Sequence, residues 1–252
     1  MENFSQWGED GIIQFLIKEI KIENKTFIEF GVQDFFESNC RYLLCASDWQ
    51  GFVIDGSNDN IQRLKNSYFY WKHDLQSVAA FLDLENINEI LSQSNFDKDL
   101  GILSVDLDGN DYHILRKINV FEPRIIISEF NPYFGVDRAI SIPYDPQFVR
   151  TEKHHSNLYF GASIRAIENL LSKKGYTLIG TGMMGSNAYF VKTDLMTEKL
   201  YHFANHAINF NGHCRQSRNR LGNLNYLRSE DAINEIRGLP VINVLTDKEE
   251  TL

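Results

Sequence analysis

Short apolar runs alternate along the chain with longer segments whose apolar residues recur every three or four positions. The runs "FIEFG" (27–31), "FVID" (52–55), "ILSVD" (102–106) and "IIISE" (125–129) are rich in Ile, Val and Phe, and each carries an acid toward its end. Runs of this length, apolar on both faces, suit buried parallel strands. "FYWKHD" (69–74) is a further strand candidate. Helix-like segments lie between them at 37–47, 58–67, 78–93 and 111–118. Strands alternating with helices imply βαβ units and a parallel sheet.

The pattern changes after residue 131. Residues 131–160 hold Pro132, Pro143 and Pro146, the adjacent His154 and His155, and no clear period. A connection this long is often functional or mobile, and we expect an acceptor-binding lid there. Its aromatics, Tyr133, Phe134, Tyr144, Phe148, Tyr159 and Phe160, could stack on a sugar or pack the loop. A helix follows, with Ile164, Ile167, Leu170 and Leu171 on one face and Gly175 as its stop. "YTLIGTG" (176–182) and "NAYFVK" (187–192) flank a turn-like Met183–Ser186 and read as a hairpin. Residues 201–252 read as an extension packed on a single domain of residues 1–200. Arg215, Arg218, Arg220, Arg228 and Arg237 fall in that tail, where they could hold a phosphate or form a solvated face.

Composition narrows the class. Hydrophobic residues make up 43%, enough for a sizeable core, and the net charge of −9 argues against a general nucleic-acid binder. Cys40, Cys45 and Cys214 form no C-x-x-C and cannot all pair. The expectation is a reduced, cytoplasmic protein. "MENFSQWGEDG" lacks the n- and h-regions of a signal peptide, and no apolar run reaches the ~20 residues of a membrane span, so no membrane association is expected.

In an open parallel sheet, ligands bind outside the carboxyl ends of the strands. Glu29, Asp55, Asp106 and Glu129 would line that rim, or else cap the helices that follow. Asp55 follows Gly31 at roughly the 20-residue offset at which an acid meets ribose hydroxyls. The first turn has no G-x-G-x-x-G. Gln33 and Phe36 would crowd a pyrophosphate and Asp34 would repel it. A ribose-containing cofactor without a pyrophosphate satisfies both observations, and S-adenosylmethionine is one. The same turn disfavours the rival reading, a nicotinamide-dependent oxidoreductase. A binding protein that keeps the fold without turnover is the non-enzymatic rival.

"DLDGND" (106–111) has three readings. Asp106 touches the cofactor while Asp108, His113, His154 or His155 serves as general base. Alternatively, Asp106 and Asp108, with Glu129 or Asn131, hold Mg²⁺. In the third, the stretch is a turn and helix cap. An EF-hand is excluded, because its last ligand position would be Lys117. Candidate cofactor contacts are Gln6, Glu9, Glu29, Gly31, Ser38, Asn39, Asp55, Gly56, Ser57, Asp74 and Asp106, with Asp10 beside Glu9.

"SQWGEDG" (5–11), "FIEFGVQDFFESNCRYLL" (27–44), "GFVIDGS" (51–57), "LSVDLDGNDY" (103–112), "ISEFNP" (127–132) and the segment 159–192 together resemble the FkbM-type class I SAM-dependent methyltransferases. The resemblance implies a Rossmann-like α/β fold. Its sheet would be mostly parallel and seven-stranded, with a final antiparallel hairpin and helices on both faces. It also implies O-methylation of a sugar, activated sugar or other small polar metabolite, as in surface-polysaccharide (capsule) biosynthesis. A phosphate- or phosphoramidate-type acceptor is the alternative. The family's usual second glycine is Gln33 here.

Overall fold

The computed structural model describes residues 4–5, 8–182, 185–204 and 217–252. Strands β1 (Thr26–Phe30), β2 (Gln50–Asp55), β3 (Leu75–Ala79), β4 (Ile102–Val105), β5 (Ile125–Glu129), β7 (Tyr176–Thr181) and β8 (Asn187–Lys192) form one sheet, ordered β3-β2-β1-β4-β5-β8-β7. β8 runs antiparallel to both neighbours, and the pairs among β1 to β5 are parallel. This is the Rossmann-like methyltransferase fold, with the hairpin and parallel core that the sequence pattern implies. The chain reverses direction across the sheet between β1 and β4, so the switch point lies at their carboxyl ends.

The apolar runs are continuous because both sheet faces are covered. Ile28, Phe30, Phe52, Ile54, Leu103 and Val105 bury on one face; Phe27, Val53, Ile102, Ile125 and Ile127 bury on the other. Each such side chain contributes about 1.5–3 kcal/mol when fully buried. The helices are α1 (Glu9–Glu19), α2 (Arg41–Ser47), α3 (Asn58–Lys65), α4 (Ile87–Ser92), α5 (Asp111–Lys117), α6 (Arg150–Lys153), α7 (Ile164–Lys173), α8 (Glu198–Ala204) and α9 (Ser229–Ile236). None of the described helices is long and apolar enough to cross a membrane.

Two expectations are corrected. The strand placed at 69–74 is a short 3₁₀ turn at Tyr70–Lys72, and the strand begins at Leu75. Aromatic content suggested 69–74, but Tyr68 and Trp71 are exposed, whereas Leu75 and Ser77 are buried and pair with Gly51 and Val53. The helix expected over 78–93 is confined to α4, because β3 takes 78–79 and Ala80–Asn86 cross the rim of the sheet. The segment 131–160, expected as an acceptor loop, has packed structure of its own. It contains α6 and β6 (Ile140–Ser141), which pairs with β9 (Pro240–Asn243); β9 pairs in turn with β10 (Lys248–Thr251). Tyr133, Phe134, Ile140, Ile142, Phe148, Tyr159 and Phe160 bury against Ile236 and Val241 of the tail. Its missing period reflects a core shared with residues some eighty positions away, as in the bond from Tyr159 Oη to the Pro240 carbonyl.

Candidate cofactor and acceptor site

The carboxyl ends of β1 to β4 open on a cleft of about 670 Å³ of non-atom space, part of it open to solvent. Gly31 and Gln33 line it after β1, Asp55 and Gly56 after β2, Ala80, Phe81 and Leu82 after β3, and Asp106, Leu107, Asp108 and Asn110 after β4. Phe148 closes one side.

Two glycines let these pieces meet. A Cβ on Gly31, whose φ is +67°, would collide with the Asp106 carbonyl oxygen, so β1 and β4 abut at the switch point only with glycine there. A Cβ on Gly109 would collide with the Phe148 ring, which lies directly on the turn. Gln33 has a left-handed φ of 50°. Its N–H donates to Asp55 Oδ2 at 2.7 Å.

Asp55 sits at the tip of β2 and lines the cleft. Its Oδ1 also accepts from Ser57 N at 2.8 Å and Asn60 Nδ2 at 2.9 Å. Ser57 in turn caps α3 through its hydroxyl. Gly31, Asp55, Gly56 and Asp106 are thus brought together. Glu29, Ser38 and Asn39 are engaged with one another instead: Glu29 accepts from Ser38 Oγ at 2.6 Å, Asn39 N at 2.8 Å and Cys40 N at 3.1 Å. This pins the turn before α2. Burial raises the Glu29 carboxyl, and these three donors oppose that rise. Glu9 and Asp10 are buried in the first turn of α1, where Asp10 accepts from Phe4 N and Ser5 N. Gln6 lies outside the described residues. Asp74, also among the candidate cofactor contacts, lies elsewhere. It precedes β3 at the amino edge of the sheet, where Gln50 Nε2 donates to it, on the opposite edge from the cleft.

"DLDGND" divides its labour. Asp111, fully buried, accepts from Leu107 N at 2.7 Å and Gly109 N at 3.0 Å and so holds its own turn closed. Asp108, at φ 54°, and Asp106 face the cleft. Ligand atoms of Asp106, Asp108 and Glu129 lie within 4.8 Å of one another. Burial first, then Asp108 and Asp111, push Asp106 up to about 8; burial and Asp106 raise Glu129 well above the usual carboxylate range. Asn131 is not available to this group. Its Nδ2 donates to the Leu158 and Phe160 carbonyls, and its Oδ1 accepts from Tyr133 N.

The expected histidines do not line the cleft. His113 Nε2 is 2.8 Å from the Ile142 carbonyl and its ring packs on Tyr144; burial lowers its pKa. His154 Nδ1 meets Ser156 Oγ at 2.7 Å, and His155 Nε2 meets Glu235 of α9 at 2.8 Å. The 131–160 segment reaches the rim through Phe148 and Arg150 instead. Arg150 Nη1 is 2.5 Å from Asp108 and 3.8 Å from Glu129, its Nε donates to the Asn157 carbonyl at 2.8 Å, and its guanidinium lies 3.7 Å from the centre of the Phe160 ring. Arg150, Phe81 and Leu82 carried no spacing signal. Four strand-end acids needing a counter-charge were the only hint of Arg150. The arginines of the described tail do not line the cleft; Arg218 donates to the Gly222 carbonyl and Arg237 to Asn234.

No protein-family model and no curated protein matches the chain. Solved structures similar to it include an S-adenosylmethionine-dependent methyltransferase from Clostridium acetobutylicum, with 11% identity over 75% of this chain and 91% of that one, at a TM-score of 0.44. An O-methyltransferase from Bacillus cereus in complex with SAH has 12% identity over 73% and 80%, at 0.46. Aeropyrum pernix fibrillarin with natively bound S-adenosyl-L-methionine has 10% identity over 73% and 76%, at 0.45. The strand order and the reversed β8, not these likenesses, fix the fold.

Proposed function

We propose that the protein is an S-adenosylmethionine-dependent methyltransferase acting on an oxygen of a small polar acceptor. The observation that carries this is the convergence of Gly31, Asp55 and Asp106, from three strand ends, on one cleft at the switch point. The residues fit the cofactor. Asp55 presents a carboxylate for ribose hydroxyls, Ile54, Phe81 and Leu82 give apolar surface for a base, and no bare-amide loop for a pyrophosphate follows β1. When bound, the cofactor supplies a methyl group on a sulfonium for in-line displacement by a nucleophilic oxygen. The acidic rim of Asp106, Asp108 and Glu129 favours the positive charge that such a group brings.

A sugar or activated sugar of a surface-polysaccharide pathway is the acceptor that the family resemblance supports. A phosphorylated or phosphoramidate acceptor would meet Asp108 and Arg150 together at this rim. Mg²⁺ fits the same reading, since Asp106, Asp108 and Glu129 offer oxygen donors only. Calorimetry with S-adenosylmethionine and NAD, followed by turnover of labelled S-adenosylmethionine with candidate sugars and sugar nucleotides, with and without Mg²⁺, tests the assignment. Binding of S-adenosylmethionine but not NAD is expected; the reverse overturns it.

A further inference from the structure

We infer that β3 is the interface through which two copies of this chain pair, antiparallel, about a two-fold axis, so that their sheets run on into one another. β3 is an edge of the seven-stranded sheet. A sheet edge offers unpaired N–H and C=O groups. Chains that stay single blunt it with charge, proline, a bulge, a very short strand or a cover. The other sheet edges among the described residues are blunted in these ways. β7 carries a bulge between Leu178 and Gly180, and α8 packs against it. β10 bears Lys248, Glu249 and Glu250. β6 is two residues long and is bridged at Ser141 to Ala162. β3 reads Leu-Gln-Ser-Val-Ala, with no charge and no proline, and keeps an unbroken register with β2 from Leu75 to Ala79.

The ladder shows which groups face outward. Gly51 N donates to the Asp74 carbonyl, and Ala80 N donates to the Asp55 carbonyl. Bonding residues alternate along a parallel strand. Gln76 and Val78 therefore serve β2, while Ser77 and Ala79 turn their N–H and C=O groups to the free edge. Both ends of that edge are apolar. Tyr68 and Trp71, just before it, are 69% and 68% exposed, and Phe81, just after it, is 51% exposed. Aromatics bared this far beside an open edge mark an interaction surface.

Charge and direction select the partner. Lys65 and Lys72 precede β3, and Asp83 and Glu85 follow it. Two copies of such a strand are complementary only when antiparallel, which sets the basic end of each on the acidic end of the other. A two-fold interface uses one patch twice, so a strand with opposite charges at its ends completes it. Centred on Ser77, the two-fold pairs Leu75 with the partner's Ala79 and sets Lys72 toward the partner's Asp83. Phe81 also lines the cleft, so pairing shields that wall from solvent.

The test is sedimentation equilibrium of the full chain at micromolar concentrations, with no ligand present. Wild type should sediment as a dimer that dissociates on dilution. Ala79→Pro removes an N–H that faces the free edge and spares the ladder to β2, a position where strands tolerate proline. The change occurs twice in the dimer, so the loss of two hydrogen bonds should raise the dissociation constant by about 10-fold or more. Ala79→Glu and Ala79→Lys read the register. The first puts a carboxylate beside the partner's exposed Asp74 and should weaken the dimer, whereas the second puts an ammonium there and should hold it better. Thermal melts establish that each variant is folded. Trp71→Ser, at an exposed side chain, should weaken the dimer too and keeps the test open if Ala79→Pro does not fold. A wild type that is monomeric throughout overturns the inference, as does a dimer that the folded edge variants leave unchanged. An Ala79→Lys dimer weaker than the Ala79→Glu one overturns the antiparallel register.

Discussion

Asp55 accepts three protein hydrogen bonds, from Gln33 N, Ser57 N and Asn60 Nδ2, before any ligand arrives. It is therefore both a wall of the cleft and the clamp on the turn after β1. Asp55→Ala should weaken S-adenosylmethionine binding by about 1.5–3 kcal/mol, the range for hydrogen bonds to a charged group. It should also lower stability, because those donors lose their acceptor. Calorimetry and urea unfolding separate the two effects, and unchanged affinity would remove Asp55 from the cofactor site. The histidines make the opposite case. His154 and His155 bond Ser156 and Glu235 and do not line the cleft. A His154→Asn/His155→Asn double variant should keep its turnover within a few-fold, well short of the roughly 100-fold loss of a missing general base. A loss on that larger scale would bring one of them into the chemistry.

Between elements, the decisive contacts are a missing Cβ and a fully used amide. Gly109 leaves room for Phe148, and Asn131 ties the end of β5 to the Leu158 and Phe160 carbonyls. Gly109→Ala should destabilise by about 1–3 kcal/mol, the usual scale for overpacking. In a Phe148→Ala background the same change should cost markedly less, because the ring it strikes is gone. Additive costs in a urea double-mutant cycle would show that the two do not touch. Asn131→Ala strands two carbonyls and one N–H, each costing about 1–3 kcal/mol if left dry. Its stability should fall while S-adenosylmethionine affinity stays nearly intact.

Across the whole molecule, charge is sorted between the two edges of the sheet. The carboxyl edge concentrates Asp55, Asp106, Asp108 and Glu129, with Arg150 against Asp108 and Glu129. At the amino edge, Arg124, just ahead of β5, grips Asp99, just ahead of β4, by two parallel bonds of 2.8 and 2.7 Å. Arg124 holds the Asp99 carboxyl below its ordinary 3.8. The unfolded chain then binds more protons than the folded one over that interval, so the pair's stabilisation is complete above 3.8 and is lost as pH falls through the lower folded value. Asp99 is 49% exposed, which limits the contribution to about 0.2–1 kcal/mol. Arg124→Gln should therefore narrow the stability gap to wild type as pH falls from ~7 to ~3. A gap that stays constant across that range would show that the pair contributes nothing.

Apolar runs and their alternation with periodic segments determined the parallel core and the final hairpin, and the acids at the ends of those runs marked the rim. A strand buried on both faces must be a continuous apolar run, and "FVID" and "IIISE" read as little else. Residue type and order also exposed the absent pyrophosphate loop, because bare amides need glycines where this chain has Gln33 and Phe36. Tertiary structure decided which acids share a site. Glu29 and Asp111 satisfy local backbone N–H groups, whereas Asp106, Asp108 and Glu129 converge only because β4 and β5 are neighbours in the sheet. It also decided that residues 131–160 form a packed unit, since their apolar partners Ile236 and Val241 come from the far end of the chain. Arg150 was invisible for the same reason. A counter-charge is chosen by position in space, and no local period records which arginine the fold will deliver to an acidic rim.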